Sequence, residues 1–334
     1  MKKMTIGIFA PSSPANILFA SKYEYAKSRL LELGFNVKEG NLVKNKIFQG
    51  YRTASGKERA DELMELILDE DIDILMPVIG GYNSASLLSY LDFNKIKKFK
   101  KILCGYSDIT ALQMAFLEKT NFSIIYGASL IPTFGEYHSK NIFGENSFFQ
   151  ALTEKSYDLI PPEKWSNQLL NALTEEWKNE RLYQKNEGWK ILNEGEAVGR
   201  VVVANIETFV TLFGSDFIPD LKNCILILED EDATITLEER SLNALKLYKI
   251  FDNLKGLIFS KPEIYNNKNS NLKYEELIDE IVGKRDYPII YNFDCGHTIP
   301  SICIPQNSIM NLIAKNGEVT IKMENSYESL NKLK

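Results

Sequence analysis

The chain of 334 residues predicts an α/β fold: an N-terminal domain built on a mostly parallel sheet flanked by helices, then a smaller, β-rich α/β domain. Three observations carry this. The composition, 44% hydrophobic and 25% charged, is that of a globular protein with room for two domains. Across residues 4–132 short apolar runs alternate with amphipathic stretches, and such alternation pairs strands in parallel beneath covering helices. Strand-like runs then return in the last part of the chain, after a polar, aromatic-dotted segment without a clean period.

Taken in order, "TIGIFA" is the first strand and "ASKYEYAKSRLLELG" the helix after it. "NVKEG", "IDILMPVI", "ILCGYS" and "SIIYG" follow as strands, with "GKERADELMELILDED" and "TALQMAFLEKT" as helices between them. Ligands in sheets of this kind bind at the carboxyl ends of the strands. Two loops occupy that position, "GGYNS" and "GYSD". The domain boundaries predicted are 1–145 for the first unit, 146–187 for a linker or packed excursion, and 188–330 for the second. In the second, "VGRVVVA", "CILILED", "LKGLIFS", "PIIYNFD", "SIMNLIA" and "EVTIKM" are strand-like, and "LEERSLNALKLYKIF" and "NLKYEELIDEIVG" helix-like.

A net charge of −6 argues against nucleic acid as a partner, since binding a phosphate backbone needs a clustered basic face. No apolar stretch approaches the roughly 18 to 20 residues that span a bilayer. The start, "MKKMTIGIFAPSSPA", mimics a signal peptide, but "IGIFA" is too short for an apolar region of about 7 to 15 residues. Cys104, Cys224, Cys295 and Cys303 show no metal spacing and read as buried thiols of a reduced, cytoplasmic protein. Neither a cofactor nor a metal is expected, because one plausible histidine with no spaced partner does not make a zinc site.

Ser107 of "GYSD" stands on a tight strand-to-helix turn, where its hydroxyl projects from the sheet rim beside free helix N–H groups. A base for it must be His138 or His297, the two histidines of the chain. His138, in the polar "FGEYHSK", reads as a surface residue. His297, in "YNFDCGHTIP", follows an apolar strand through Gly296, although a histidine held by loop hydrogen bonds is the competing reading. In "NCILILEDED" Glu229 shares a strand face with Ile225 and Ile227, whereas the acids after it read as a solvated turn. A carboxylate there could orient an imidazole. For a developing oxyanion, the Asp108 N–H and the Gly80-Gly81 turn are candidate donors, the bland alternative being a tight turn and a third a phosphate loop. With no GxxxxGK[ST] and no GxGxxG, the nucleotide-loop reading is weak.

"GYSDIT", "ILILEDED" and "CGHTIP", in that order behind "IGGYNSASLLSYLD", resemble the serine peptidase family of LD-carboxypeptidases and microcin C immunity proteins. The similarity extends to "APSSPA", "GYRTASGKERADEL", the "YG" after the Ser107 helix and "GWKILNEGEAVGRVVVANIETFVTLFG". It implies a Ser107–Glu229–His297 triad in an interdomain cleft, with the Gly81 amide in the oxyanion hole. Gly80, Tyr82, Asn83, Asn205 and Arg240 are pocket candidates by family position, and Trp189, like Trp165 and Trp177, is a candidate aromatic platform for a nucleobase, with core or interface packing the favoured reading for each. A homodimer is also the family expectation.

Members that trim murein tetrapeptides commonly read R-G-G-Y-G at the glycine turn, whereas this chain has Ile79-Gly80-Gly81-Tyr82-Asn83. An arginine there would pair with a terminal carboxylate, and isoleucine cannot. The form is closer to the immunity branch, which implies hydrolysis of the link between a peptide or amino acid and a nucleotide. The expected function is therefore a serine hydrolase cutting an amide at the C-terminal end of a small peptide or peptide–nucleotide conjugate. Removal of D-alanine from murein tetrapeptides is the alternative within the class, and a non-catalytic α/β protein binding a small ligand the alternative outside it.

Overall fold

The computed structural model describes residues 3–138 and 140–327. Two sheets organise them. The first runs Asn36–Glu39, Thr5–Phe9, Ile74–Pro77, Ile102–Gly105, Ser123–Tyr126 and Ile304–Pro305. Five of these strands are parallel, and Ile304–Pro305, arriving from the far end of the sequence, closes the edge antiparallel to Ser123–Tyr126. Ile74–Pro77 and Ile102–Gly105 are buried throughout, which is why they read as unbroken apolar runs.

The chain winds outward from Thr5–Phe9 in one direction and then in the other, so a crevice opens where the strand order reverses, at the carboxyl ends of Thr5–Phe9 and Ile74–Pro77. Loops 10–14 and 78–83 line it. Helix Gly56–Leu68 packs nearby and begins with a capping box: Ser55 Oγ accepts from the Glu58 N–H at 3.3 Å and the Ser55 N–H donates to Glu58 Oε2 at 3.0 Å.

The second sheet has eight strands, ordered Ser156–Leu159, Glu318–Glu324, Ile309–Lys315, Gly195–Asn205, Cys224–Glu229, Gly256–Ser260, Ile289–Phe293 and Lys190–Asn193. Its four consecutive strands from Gly195–Asn205 to Ile289–Phe293 are parallel. Their carboxyl ends therefore point one way, toward the first sheet's crevice side. The segment 146–187 is built into this arrangement: it supplies edge strand Ser156–Leu159 and a hairpin of Lys164–Trp165 with Gln184–Lys185. Ser166 also exchanges two backbone hydrogen bonds with Ile299, which fastens the segment to the loop after Ile289–Phe293.

Helix Thr110–Lys119 explains how the two halves join. Every residue from Thr110 to Phe116 is buried, because Leu112 and Phe116 share one core with Val202, Ala204 and Phe209 of the second half. A helix apolar around its circumference has to be enclosed on all sides. Polar ties complete the junction. Gln113 Nε2 donates to the Gly105 and Ile125 carbonyls, Gln306 Nε2 donates to Gln113 Oε1, and the Val203 N–H donates to Gln306 Oε1 at 2.8 Å.

Candidate active site

Strand Ile102–Gly105 ends in Gly105 with φ at +143°, a conformation that side chains rarely adopt, and a Cβ there would lie 2.5 Å from Ile109 Cγ2. The chain then turns at once into helix. Ser107 takes up the turn with φ of +63°, in the left-handed region, a strained geometry for a residue with a side chain. Strain at such a turn presents the serine hydroxyl outward at the sheet rim.

Gly80 lies against this serine. A Cβ on Gly80 would stand 3.2 Å from Ser107 Cβ, 3.3 Å from Oγ and 3.4 Å from the Asp108 nitrogen, so glycine keeps the space in front of the hydroxyl and of the Asp108 N–H open. Gly81 serves a different contact. Its φ is +146°, and a Cβ would fall 2.4 Å from Ser12 Oγ, which accepts hydrogen bonds from the N–H groups of Tyr82 and Asn83 at 3.1 and 3.2 Å. The Asp108 carboxylate accepts from the N–H groups of Asn83 and Ser84 at 3.0 and 2.9 Å. Serine turn and glycine turn are thus clamped into one rim.

His297 enters from the second sheet, on the loop after Ile289–Phe293. Its Nδ1 donates to Glu229 Oε2 at 2.7 Å, and Glu229, at the carboxyl end of Cys224–Glu229, is fully buried at its side chain. Gly296 makes that approach possible: φ is +113° and a Cβ would lie 2.2 Å from Glu229 Oε2. The imidazole meets the first half of the chain edge-on at Tyr106, the residue before Ser107, with ring centroids 5.0 Å apart. Tyr126 bridges the two halves directly. It donates to Glu229 Oε1 at 2.6 Å and accepts the Ser107 N–H at 3.3 Å. Burial, followed by the Glu229 charge, holds its phenol well above the usual range, so it remains a donor.

The electrostatics are strongly acidic. Burial alone would lower the His297 pKa, but the Glu229 charge and hydrogen bond, with Glu231 and Glu263 behind them, outweigh it and raise the pKa to about 9. Glu231 Oε2 is 3.8 Å from Nε2, the nitrogen that a serine proton would reach. Burial, with Glu207 and Glu229 as neighbours, pushes Asp230 up to about 7. Burial and the adjoining Asp230 push Glu238 up as well.

The fold accordingly brings Ser107, Glu229, His297, Gly80, Gly81 and Asp108 to one place. Asn205 arrives beside them, being paired with Glu229 in the strand register, and its backbone N–H donates to Thr110 Oγ1 at 3.0 Å. Its side chain caps helix Ile206–Val210. Asn83 turns its amide oxygen to the fully buried Arg59 at 2.5 Å, which fixes the loop, while Tyr82 is 91% exposed at the mouth. Arg240 is exposed on helix Ile235–Leu247 and is not tied to this group.

Of its two readings, Trp189 takes the packing role. Its ring is buried against Phe293 and its indole N–H donates to Asp294 Oδ2 at 2.9 Å, so it braces the loop that carries His297 and offers no open face to a base. Trp177 packs between Tyr25 and Tyr137, and His138 is exposed. All four cysteines are free and buried. Tyr126 and Ser12 were missed as site residues. Both lie in stretches that carry the family resemblance, and the position of Tyr126 at the carboxyl end of the strand beside Ile102–Gly105 was the signal that could have found it.

Comparison with known proteins gives matches over both halves. The family model of the LD-carboxypeptidase N-terminal domain matches residues 6–127, and that of the LD-carboxypeptidase C-terminal domain matches residues 198–312. The chain is 34% identical to the microcin C7 self-immunity protein MccF of Escherichia coli over 305 residues, 90% of this chain and 88% of that one. It is 33% identical to a putative carboxypeptidase of Vibrio cholerae over 303 residues, 90% of this chain and 89% of the relative. Among solved structures, MccF in complex with glutamyl sulfamoyl guanosine superposes with a TM-score of 0.91 at 32% identity, covering 98% of this chain and 97% of that one.

Proposed function

The chain belongs to the LD-carboxypeptidase family of serine peptidases, and on that premise we propose that it hydrolyses the amide-type bond of a small aminoacyl– or peptidyl–nucleotide conjugate, with Ser107 as nucleophile. The observation that carries this is the His297–Glu229 hydrogen bond of 2.7 Å, set beside the strained Ser107 turn, where Gly80 keeps the space before the Asp108 N–H open. Ser107 Oγ attacks the carbonyl carbon while His297 Nε2 takes the proton and passes it to the leaving nitrogen. Water then enters by the same base, cleaves the ester and restores the serine. Glu229 keeps Nδ1 protonated and stabilises the imidazolium formed at each step. The N–H groups of Asp108 and Gly81 are the donors assigned to the oxyanion.

Support for a conjugate over a murein peptide comes from Ile79 in the glycine turn, and from the relative whose structure holds glutamyl sulfamoyl guanosine. The reading includes a cytoplasmic homodimer, checked by fractionation and light scattering. The deciding experiment offers purified protein an aminoacyl sulfamoyl adenosine and a murein tetrapeptide in parallel, with Ser107→Ala as control. Cleavage of the first, abolished in the variant, is expected. Release of D-alanine from the second alone would shift the reading to murein trimming. Full activity in Ser107→Ala would remove the nucleophile assignment.

A further inference from the structure

The cleft beside His297 holds more negative charge than the triad uses. Glu263 follows strand Gly256–Ser260, and its neighbour Ile264 donates its N–H to the Glu231 carbonyl at 2.9 Å, which sets the two glutamates side by side. Glu263 is only 7% exposed, yet among the described residues its carboxylate has neither a hydrogen bond nor an ion pair. It is also absent from the fully enclosed unpartnered groups, so the little surface it keeps includes its carboxylate oxygens. Glu231, its neighbour in the strand register, reaches the imidazole, with Oε2 3.8 Å from His297 Nε2, so Glu263 stands on the imidazole side of the cleft. An unpartnered carboxylate so deeply buried is costly unless a cation arrives to meet it.

Among the described residues the neighbouring arginine and lysine are already engaged, and the His297 imidazole is held by Glu229. Arg181 is committed to Glu136, with Nε at 2.6 Å from Oε2 and Nη2 at 2.9 Å from Oε1. Lys261 is committed to Asp294 at 2.6 Å. Glu231, whose side chain is about half exposed, reaches only His297 among the described residues. Building on the serine hydrolase reading, we propose that Glu263, with Glu231 at the rim, receives the α-ammonium group of the acyl residue whose carbonyl Ser107 attacks. That ammonium lies two bonds from the scissile carbonyl carbon. A carboxylate on the imidazole side of the cleft is therefore in reach of it, whereas an N-acylated residue would bring an amide to the same spot and leave the buried charge unmet.

The test measures binding in the Ser107→Ala background, so that it does not depend on turnover. Alanyl sulfamoyl adenosine, its Nα-acetyl form and Nα-acetyl-lysyl sulfamoyl adenosine are titrated calorimetrically. Charge-assisted hydrogen bonds of this kind lead us to expect a preference of about 10- to 100-fold for the free amine, largely lost in Glu263→Gln and reduced in Glu231→Gln. Affinity for the acetylated alanyl form should change less than about 3-fold in both variants. Equal affinity for free and acetylated forms, equal losses on both, or tight binding of the acetyl-lysyl form alone would overturn the proposal. Ordinary turnover by the wild type with no amine preference would overturn it while leaving the hydrolase reading intact. An amine preference in binding without turnover by the wild type would do the reverse.

Discussion

Tyr126 Oη stands 2.6 Å from Glu229 Oε1 and accepts the Ser107 N–H at 3.3 Å, so a single buried phenol connects the turn of Ser107, the proposed nucleophile, with the carboxylate that holds His297. These residues come from different sheets. Their relative placement consequently depends on one hydrogen-bonded side chain as well as on apolar packing.

Tyr126→Phe removes the donor while keeping the ring. Because a hydrogen bond to a charged group contributes about 1.5–3 kcal/mol, kcat should fall about 10- to 100-fold with little change in KM. A denaturant titration should show a stability loss of about 1–3 kcal/mol. An unchanged kcat would mean that Glu229 is held well enough by His297 alone.

Gly296→Ala asks for a Cβ 2.2 Å from Glu229 Oε2 at a φ of +113°. The loop or the carboxylate must move, and the His297–Glu229 bond goes with it. We expect at least a roughly 100-fold loss of kcat, since misplacement by about 1 Å can cost that much. Circular dichroism should still report a folded protein. Retained activity would show that the loop yields without moving the imidazole.

Ser107 is held at φ of +63°. Ser107→Gly should therefore raise the melting temperature, by relief of about 1 kcal/mol of strain, while eliminating turnover. Ser107→Ala should be equally inactive without the gain. A glycine variant no more stable than the alanine variant would contradict strain at this turn.

Protonation should couple to stability with one sign. His297 titrates at about 9 in the folded protein, above its ordinary value, and Asp230 and Glu263 are raised to about 7, above ordinary carboxylates. In each case the folded state binds the proton more tightly than the unfolded one, so stability falls as pH rises. The His297 contribution is complete below about pH 6.5 and lost through about 9, worth at most about 3 kcal/mol. For the two acids the penalty is absent below about pH 4 and complete above about 7. Thermal melts should give a higher melting temperature at pH 6 than at pH 9. A flat or rising profile would count against these shifts.

The same imidazole must be neutral to act as a base, so kcat/KM should climb with pH toward about 9. An ammonium beside Glu231 and Glu263 would lower the His297 pKa, so kcat should rise at a lower pH than kcat/KM does.

Much of the first half was legible because local pattern and burial agree there. The runs "ILMP" and "ILCG" are wholly enclosed strands, and their apolar continuity is the direct mark of that enclosure. Ser107, Glu229 and His297 could be named because the segments that carry them resemble the family's motifs, and each lies at or just beyond the carboxyl end of its own strand, where a parallel sheet exposes its loops. Trp189 could not be placed in this way. Whether an indole faces a cleft or a neighbouring phenylalanine depends on what packs against it, and nothing local to "GWK" specifies Phe293 or Asp294.

By itself, then, the sequence determined the strand–helix alternation and the serine turn, which follow from backbone preferences and short-range hydrophobic period, while its family resemblance implied the three candidate catalytic side chains. Only the tertiary structure decided that Tyr126 ties Ser107 to Glu229, that Ser156–Leu159 joins the second sheet, and that Glu263 lies buried beside Glu231 without a partner among the described residues. The physical reason is separation along the chain. Each of these relationships joins residues that no local pattern couples, and they meet only when the two sheets enclose the helix Thr110–Lys119 between them.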